Sequence, residues 1–251
     1  MIVKKKNNMF LLGIDINQII GFGIEYVPLE FYSSLIAMLF VSVVAIIVGI
    51  KAKKADPLEK PKGILNIAEI FVEFVDRNVE DIMGHRFSNF GGYIAALGLY
   101  IFTGFIVGLT GMPNPFIYLG NTMSIALISL IMIHATSVRY NKWSYFKRYI
   151  EPVPVFLPIN LISMWAPFIS LSFRLFGNAL AGFSLMYLLY LLLTPVVNGI
   201  PIFLAEFVAP FLHMYFDLFS GLIQTLVFTM LTMIFVAQEG PEDEELVAQV
   251  R

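Results

Sequence analysis

The chain contains no cysteine, so disulfides, thiol catalysis and thiolate-ligated metals are all excluded. Charge is also scarce, at 14% of 251 residues, against 58% hydrophobic residues. A soluble domain of this length could not hide so much apolar surface. No Gly-rich phosphate loop, HExxH or GxSxG occurs, so neither a nucleotide site nor a hydrolase site is expected on this chain, and no cofactor or metal. No basic patch interleaved with aromatics points to nucleic acid. The basic start MIVKKKNNMFLLGI has too short an apolar run for a removable signal peptide. What is present is apolar: 24 Phe among long runs of Leu, Ile and Val. The expected class is an all-α polytopic membrane protein in contact with the lipid bilayer.

Crossing about 30 Å of hydrocarbon takes roughly 20 apolar residues. The first such run is Phe31 to Ile50, stopped by KAKKADPLEKPK. Residues 64–83 differ: Glu69, Glu73, Asp76 and Glu80 recur at helical spacing against Ile, Phe and Val. That pattern predicts an amphipathic helix lying on the membrane surface or bracing other helices. Further spans are expected over Tyr93–Thr110 and Thr122–Thr136. Asn160 to Thr194 is then a 35-residue stretch with one charge, and Ile202 to Gln238 is similar, with two acids and one histidine. A helix of 35 residues is about 52 Å long, too long to stand upright in the bilayer. Two long, strongly tilted helices joined at PVVNGIP are expected, with kinks possible at Pro167 and Pro210. The total is five crossings.

Lys51, Lys53, Lys54, Lys60 and Lys62 come after the first span, and Arg139, Lys142, Lys147 and Arg148 after the third. The intervening loops 111–121 and 195–201 carry no basic residue. The positive-inside rule then places the N-terminus outside and the C-terminus in the cytoplasm, although Lys4, Lys5 and Lys6 count against it. The expected organisation is one integral membrane domain over 1–251. It comprises an outer segment 1–30, the amphipathic helix 64–83, an ion-translocating helical hairpin 160–238 and an acidic cytoplasmic tail 239–251.

Ionisable residues inside a membrane helix cost about 2.5–3.5 kcal/mol on insertion scales, and mark functional paths. Three fall in the long helices: Arg174, Glu206 and Asp217. Arg174 lies far from either helix end and is permanently charged, so it needs an anionic partner. Glu206, His213, Asp217, Ser220 and Gln224 are spaced to share one helical face and read as a wetted, ion-exchanging stripe. Ser170, Arg174 and Asn178 form a matching line on the first long helix, beside the small residues Gly177, Ala179, Ala181 and Gly182. Blander roles compete: an Arg174–Asp217 pair that is only structural, a Glu206 at the interface, a His213 bonding between helices, and Gln224 and Asn178 as ordinary polar glue. His85 and His134 are read as structural.

The stretch from Pro167 to Phe183, with RLFGN followed by AG, resembles subunit a of F-type ATP synthases, of bacterial type. SGLIQTLVFTMLTMIFVA resembles that family's last helix; PVPVFLPINLIS and KPKGILNIAEIFVEFV carry weaker similarity. The resemblance implies a stator subunit of a rotary synthase, not an enzyme by itself. Two offset half-channels would pass protons or sodium ions to and from a ring of c subunits, with Arg174 facing the c-subunit carboxylate. It further implies peripheral-stalk subunit b and other synthase subunits as partners, a bacterial plasma membrane location, and roles for Asn178 and Gln224 near the arginine. This chain departs from many relatives at two places. Phe183 and Asn160 stand where an acid is common, so Asp217, with His213 and Glu206, is the expected acidic path. The alternative from another class is a secondary ion-coupled transporter with an intramembrane Arg/Asp site; it calls for repeated halves, which the sequence lacks.

Overall fold

A computed structural model describes residues 28–56, 60–147, 155, 157–193 and 202–240. The expectations for the N-terminal lysines, the PVVNGIP turn and the tail beyond residue 240 lie outside the described residues. Every regular element among the described residues is helical. In chain order these are α1 (Leu29–Lys54), α2 (Ile64–Met83), a 3-10 turn (His85–Phe90), α3 (Gly91–Leu109), a short 3-10 turn (Pro115–Ile117), α4 (Leu119–Lys147), α5 (Leu157–Leu193), α6 (Ile202–His213), a π-helical turn (Met214–Phe219) and α7 (Ser220–Gln238). Five stretches are long and apolar enough to cross a membrane: Leu29–Lys54, His85–Leu109, Leu119–Tyr140, Leu157–Leu191 and Phe207–Gln238. The all-α, five-crossing class expected from the apolar runs is the one observed.

Several helix ends have a clear cause. α1 has Glu30 in its first turn and Lys51, Lys53 and Lys54 in its last, which complements the helix dipole at both ends. It is apolar all round and mostly uncovered, with Leu39 and Ile46 each 60% exposed. Such a surface requires lipid or a partner helix. α4 turns at Lys142 (φ 44°, ψ −119°), so its membrane-length part ends at Tyr140. α5 runs unbroken through Pro167. The second long arm is not a single α-helix as expected. Pro210 sits inside α6, and the backbone widens to a π turn four residues later.

Two apolar clusters hold the bundle. One gathers Ile101 and Phe105 of α3, Phe116, Leu171 and Leu175 of α5, and Phe228 of α7. The other joins Val75, Val79 and Met83 of α2 to Ile94, Ile133, Met233 and Val236. α2 therefore braces α3 and α7, while its acids stay exposed. Asp76 rests on the first turn of α3, where a Cβ at Gly91 would overlap its carboxylate. An acid is favoured at that helix N-terminus. Interhelical hydroxyl bonds add specificity: Tyr100 to Ser34 (2.8 Å) ties α3 to α1, and Tyr93 to Ser129 (3.0 Å) ties it to α4. Asn121 Nδ2 donates to Pro115 O (2.9 Å) and Glu30 O (3.4 Å), which fastens the α3–α4 loop to the start of α1.

The contact of α7 with α3 depends on Gly221. A Cβ there would lie 2.6 Å from the Cβ of Phe105. Gly221→Val should cost about 1–3 kcal/mol by overpacking and lower the thermal midpoint of the purified protein in detergent. An unchanged midpoint would show that the two helices can move apart freely.

Candidate functional site

The polar residues singled out in the long arms separate into two groups in space. The first is central. Asn178 of α5 donates through Nδ2 to Gln224 Oε1 (3.5 Å), and Ser220 Oγ donates to Asn178 Oδ1 (3.1 Å). Gln224 is 5% exposed, and its Nε2 has no partner among the described residues. A buried amide donor left unpaired is uncommon and calls for an explanation. Arg174, one helical turn before Asn178, is exposed, as are Ser170, Gly177 and Ala181 on the same stretch. Nothing lies within 4 Å of where a Gly177 Cβ would stand.

The second group is built around the π turn. His213 Nδ1 and Asp217 Oδ2 are 2.7 Å apart, one turn along the same arm. On the other side of the imidazole, Nε2 is 3.1 Å from the hydroxyl of Tyr190 on α5. Asp217 lies against α3 at Gly108. A Cβ at Gly108 would sit 3.8 Å from its carboxylate and 3.6 Å from Asn114 Cβ. The side chains of His213 and Asp217 are 36% and 19% exposed, so both keep some access to the surroundings.

The structure corrects two expectations. Arg174 makes no ion pair with Asp217; among the described residues the acid pairs with His213, and no hydrogen bond or ion pair reaches the arginine. The reason is direction: Asp217 lies against α3, whereas Arg174 lies on an exposed side of α5. The single polar stripe is also divided. Counting 3.6 residues per turn from His213 to Gln224 ignores the π turn, which holds more residues per turn and rotates the helix beyond it. Ser220 and Gln224 thus meet Asn178, while Asp217 turns away to α3. Glu206 belongs to α6, and its side chain lies outside the described residues.

Tyr190 and Gly108 were missed in the sequence. A tyrosine among leucines reads as filler, but a signal existed. With Asn178 opposite Gln224, twelve residues forward on α5 and eleven back on the other arm bring Tyr190 to His213. His85, read as structural, has Nδ1 3.2 Å from Glu80 Oε1 just past the end of α2, away from both groups. Among the described residues no cluster of His, Asp or Glu could hold a metal ion.

Residues 31–237 match the family of the ATP synthase A chain. Three similar proteins agree. The chain is 32% identical over 208 residues to ATP synthase subunit a of Sulfurihydrogenibium sp. (strain YO3AOP1), covering 81% of this chain and 94% of that one. It is 32% identical over 184 residues to ATP synthase subunit a 1 of Syntrophotalea carbinolica, covering 71% and 74%. It is 30% identical over 205 residues to ATP synthase subunit a of Campylobacter jejuni subsp. doylei, covering 78% and 85%. With a family match across most of its length and relatives aligned over most of theirs, this multi-pass membrane protein belongs to the ATP synthase subunit a family.

Proposed function

We propose that this chain is the stator of a rotary membrane motor, and that it passes protons or sodium ions to and from a ring of c subunits through two offset half-channels. Arg174 faces the ion-binding carboxylate of each passing c subunit. The carrying observation is that Arg174 is exposed on an apolar helix and meets no acid among the described residues. A permanent cation there is costly in hydrocarbon, so a second chain must bring the anion. Opposite charge favours the ionised carboxylate, so its approach lowers the incoming acid's affinity for its ion and releases it. The open space over Gly177 and the exposed Ala181 allow a partner helix to come close. Behind them the Asn178–Ser220–Gln224 bonds hold two amides in place, with the buried Gln224 Nε2 left unpaired among the described residues.

Asp217, with His213 and Glu206, supplies ions from the outer side. Lys51, Lys53 and Lys54 at the end of α1 and Arg139 near the end of α4 support a cytoplasmic position for those ends, and so an outer N-terminus and a cytoplasmic C-terminus. The bacterial relatives favour the plasma membrane of a bacterium. Beside the c-ring, subunit b is the other membrane partner, and the uncovered length of α1 offers it room.

The absence of cysteine makes a direct test simple. Gly177→Cys gives a unique thiol one turn from Arg174. It should form a disulfide with a cysteine placed beside the c-subunit carboxylate, and oxidation should block rotation-coupled ATP hydrolysis until reduced. Absence of that cross-link, with Ala181→Cys also silent, would move the ring to another face.

A further inference from the structure

Tyr190, His213 and Asp217 form an unbroken chain of bonds between the two long arms, at 3.1 Å and 2.7 Å. With Asp217 as a carboxylate, which only accepts, the proton of His213 is on Nδ1 and Nε2 is left to accept from the Tyr190 hydroxyl. From this geometry we infer that Tyr190 is a third member of the ion path and relays protons to His213. The inference rests on the stator reading proposed for this chain.

The protons balance in one concerted transfer. A hydrated proton (hydronium) gives its proton to the Tyr190 oxygen and leaves as water, the phenol's own proton moves to His213 Nε2, and the Nδ1 proton moves to Asp217 Oδ2, giving a neutral carboxylic acid and an imidazole protonated on Nε2. Asp217 then releases its proton inward, toward the c-subunit carboxylate. The imidazole side chain is 36% exposed, and exchange of its ring protons with water restores the starting tautomer. No net charge is left on the phenol or the imidazole at any stage. Asp217 is the one charged group of this relay, and Gly108 of α3 lies beside it.

The test uses the whole synthase in inverted vesicles. Tyr190→Phe keeps the ring and removes only the hydroxyl. It should lower the initial rate of ATP-driven proton uptake roughly tenfold, a modest share of what proton-transfer groups contribute. Tyr190→His, which restores a transferable proton, should recover much of the rate. Radioactive sodium should not accumulate in wild-type vesicles. If Tyr190→Phe does not assemble with the c-ring, His213→Gln breaks the same chain one link further in and should show the same loss. Wild-type proton uptake by Tyr190→Phe, or ATP-driven sodium accumulation, overturns the inference. Arg174→Ala in the same vesicles separates the two ideas. Loss there with an unaffected Tyr190→Phe removes only the relay, whereas normal pumping with Arg174→Ala removes the stator reading itself.

Discussion

Arg174→Ala is expected to abolish ATP synthesis driven by an imposed ion gradient while leaving the complex assembled. The fold has little to lose, because the side chain is exposed and joins no hydrogen bond or ion pair among the described residues. The motor has much to lose. A carboxylate 4 Å from a guanidinium gains about 4 kcal/mol at an effective dielectric constant of about 20. One proton crossing about 100 mV supplies only about 2.3 kcal/mol. Without the arginine, the ionised c-subunit carboxylate has no compensation where it meets the stator, and a single proton's drive cannot make up the difference. Either the ring stalls or ions slip between the half-channels; both end synthesis. Arg174→Lys should restore little, since an ammonium in an apolar setting gives up its proton more readily than a guanidinium. Synthesis rates in energised vesicles, normalised to co-purified c-ring, decide the matter. Normal synthesis by assembled Arg174→Ala complexes would sink the proposal.

The second large effect is expected at Asp217. Asp217→Asn keeps the side-chain volume and a hydrogen bond to His213, so insertion and packing should be preserved. It removes the only group of the Tyr190–His213–Asp217 chain that can store a proton as a neutral acid. Ion flux should fall on the order of a hundredfold, the scale of losing a proton-transfer group. The readouts are ATP-driven dye quenching and gradient-driven synthesis in the same vesicles. ATP hydrolysis by the detergent-solubilised complex serves as the control for assembly. An unchanged coupled flux would take Asp217 out of the path.

Much of this was legible in the sequence, for identifiable reasons. Spans are dictated by bilayer thickness and apolar length, both one-dimensional, so five crossings could be counted from runs of Leu, Ile, Val and Phe. The four acids of α2 at helical spacing revealed its amphipathic character, and the same period places Val75 and Val79 on the packed side. Asn178 and Gln224 stood out as polar residues in otherwise apolar arms, but that they meet each other is visible only in the fold. The Arg174–Asp217 pair failed because charge complementarity says who could meet but not which way a helix faces. Facing is set here by a change of helical pitch that no periodicity count assumes. Tyr190 went unnoticed because a hydroxyl on an aromatic ring hides in a hydrophobic tally.

That wider turn bears on how relatives should be compared. A π turn accommodates one more residue than an α-helical turn, so the stretch 214–219 behaves as a single-residue insertion absorbed without a loop. Two relatives differing by one residue there can keep the same partners on α7 while presenting different columns of an alignment to α3. An acid in a neighbouring column can then occupy the same place in space as Asp217. An acid in the very same column can point elsewhere. Across this segment, equivalence has to be judged by rotation about the helix axis and not by position in the string.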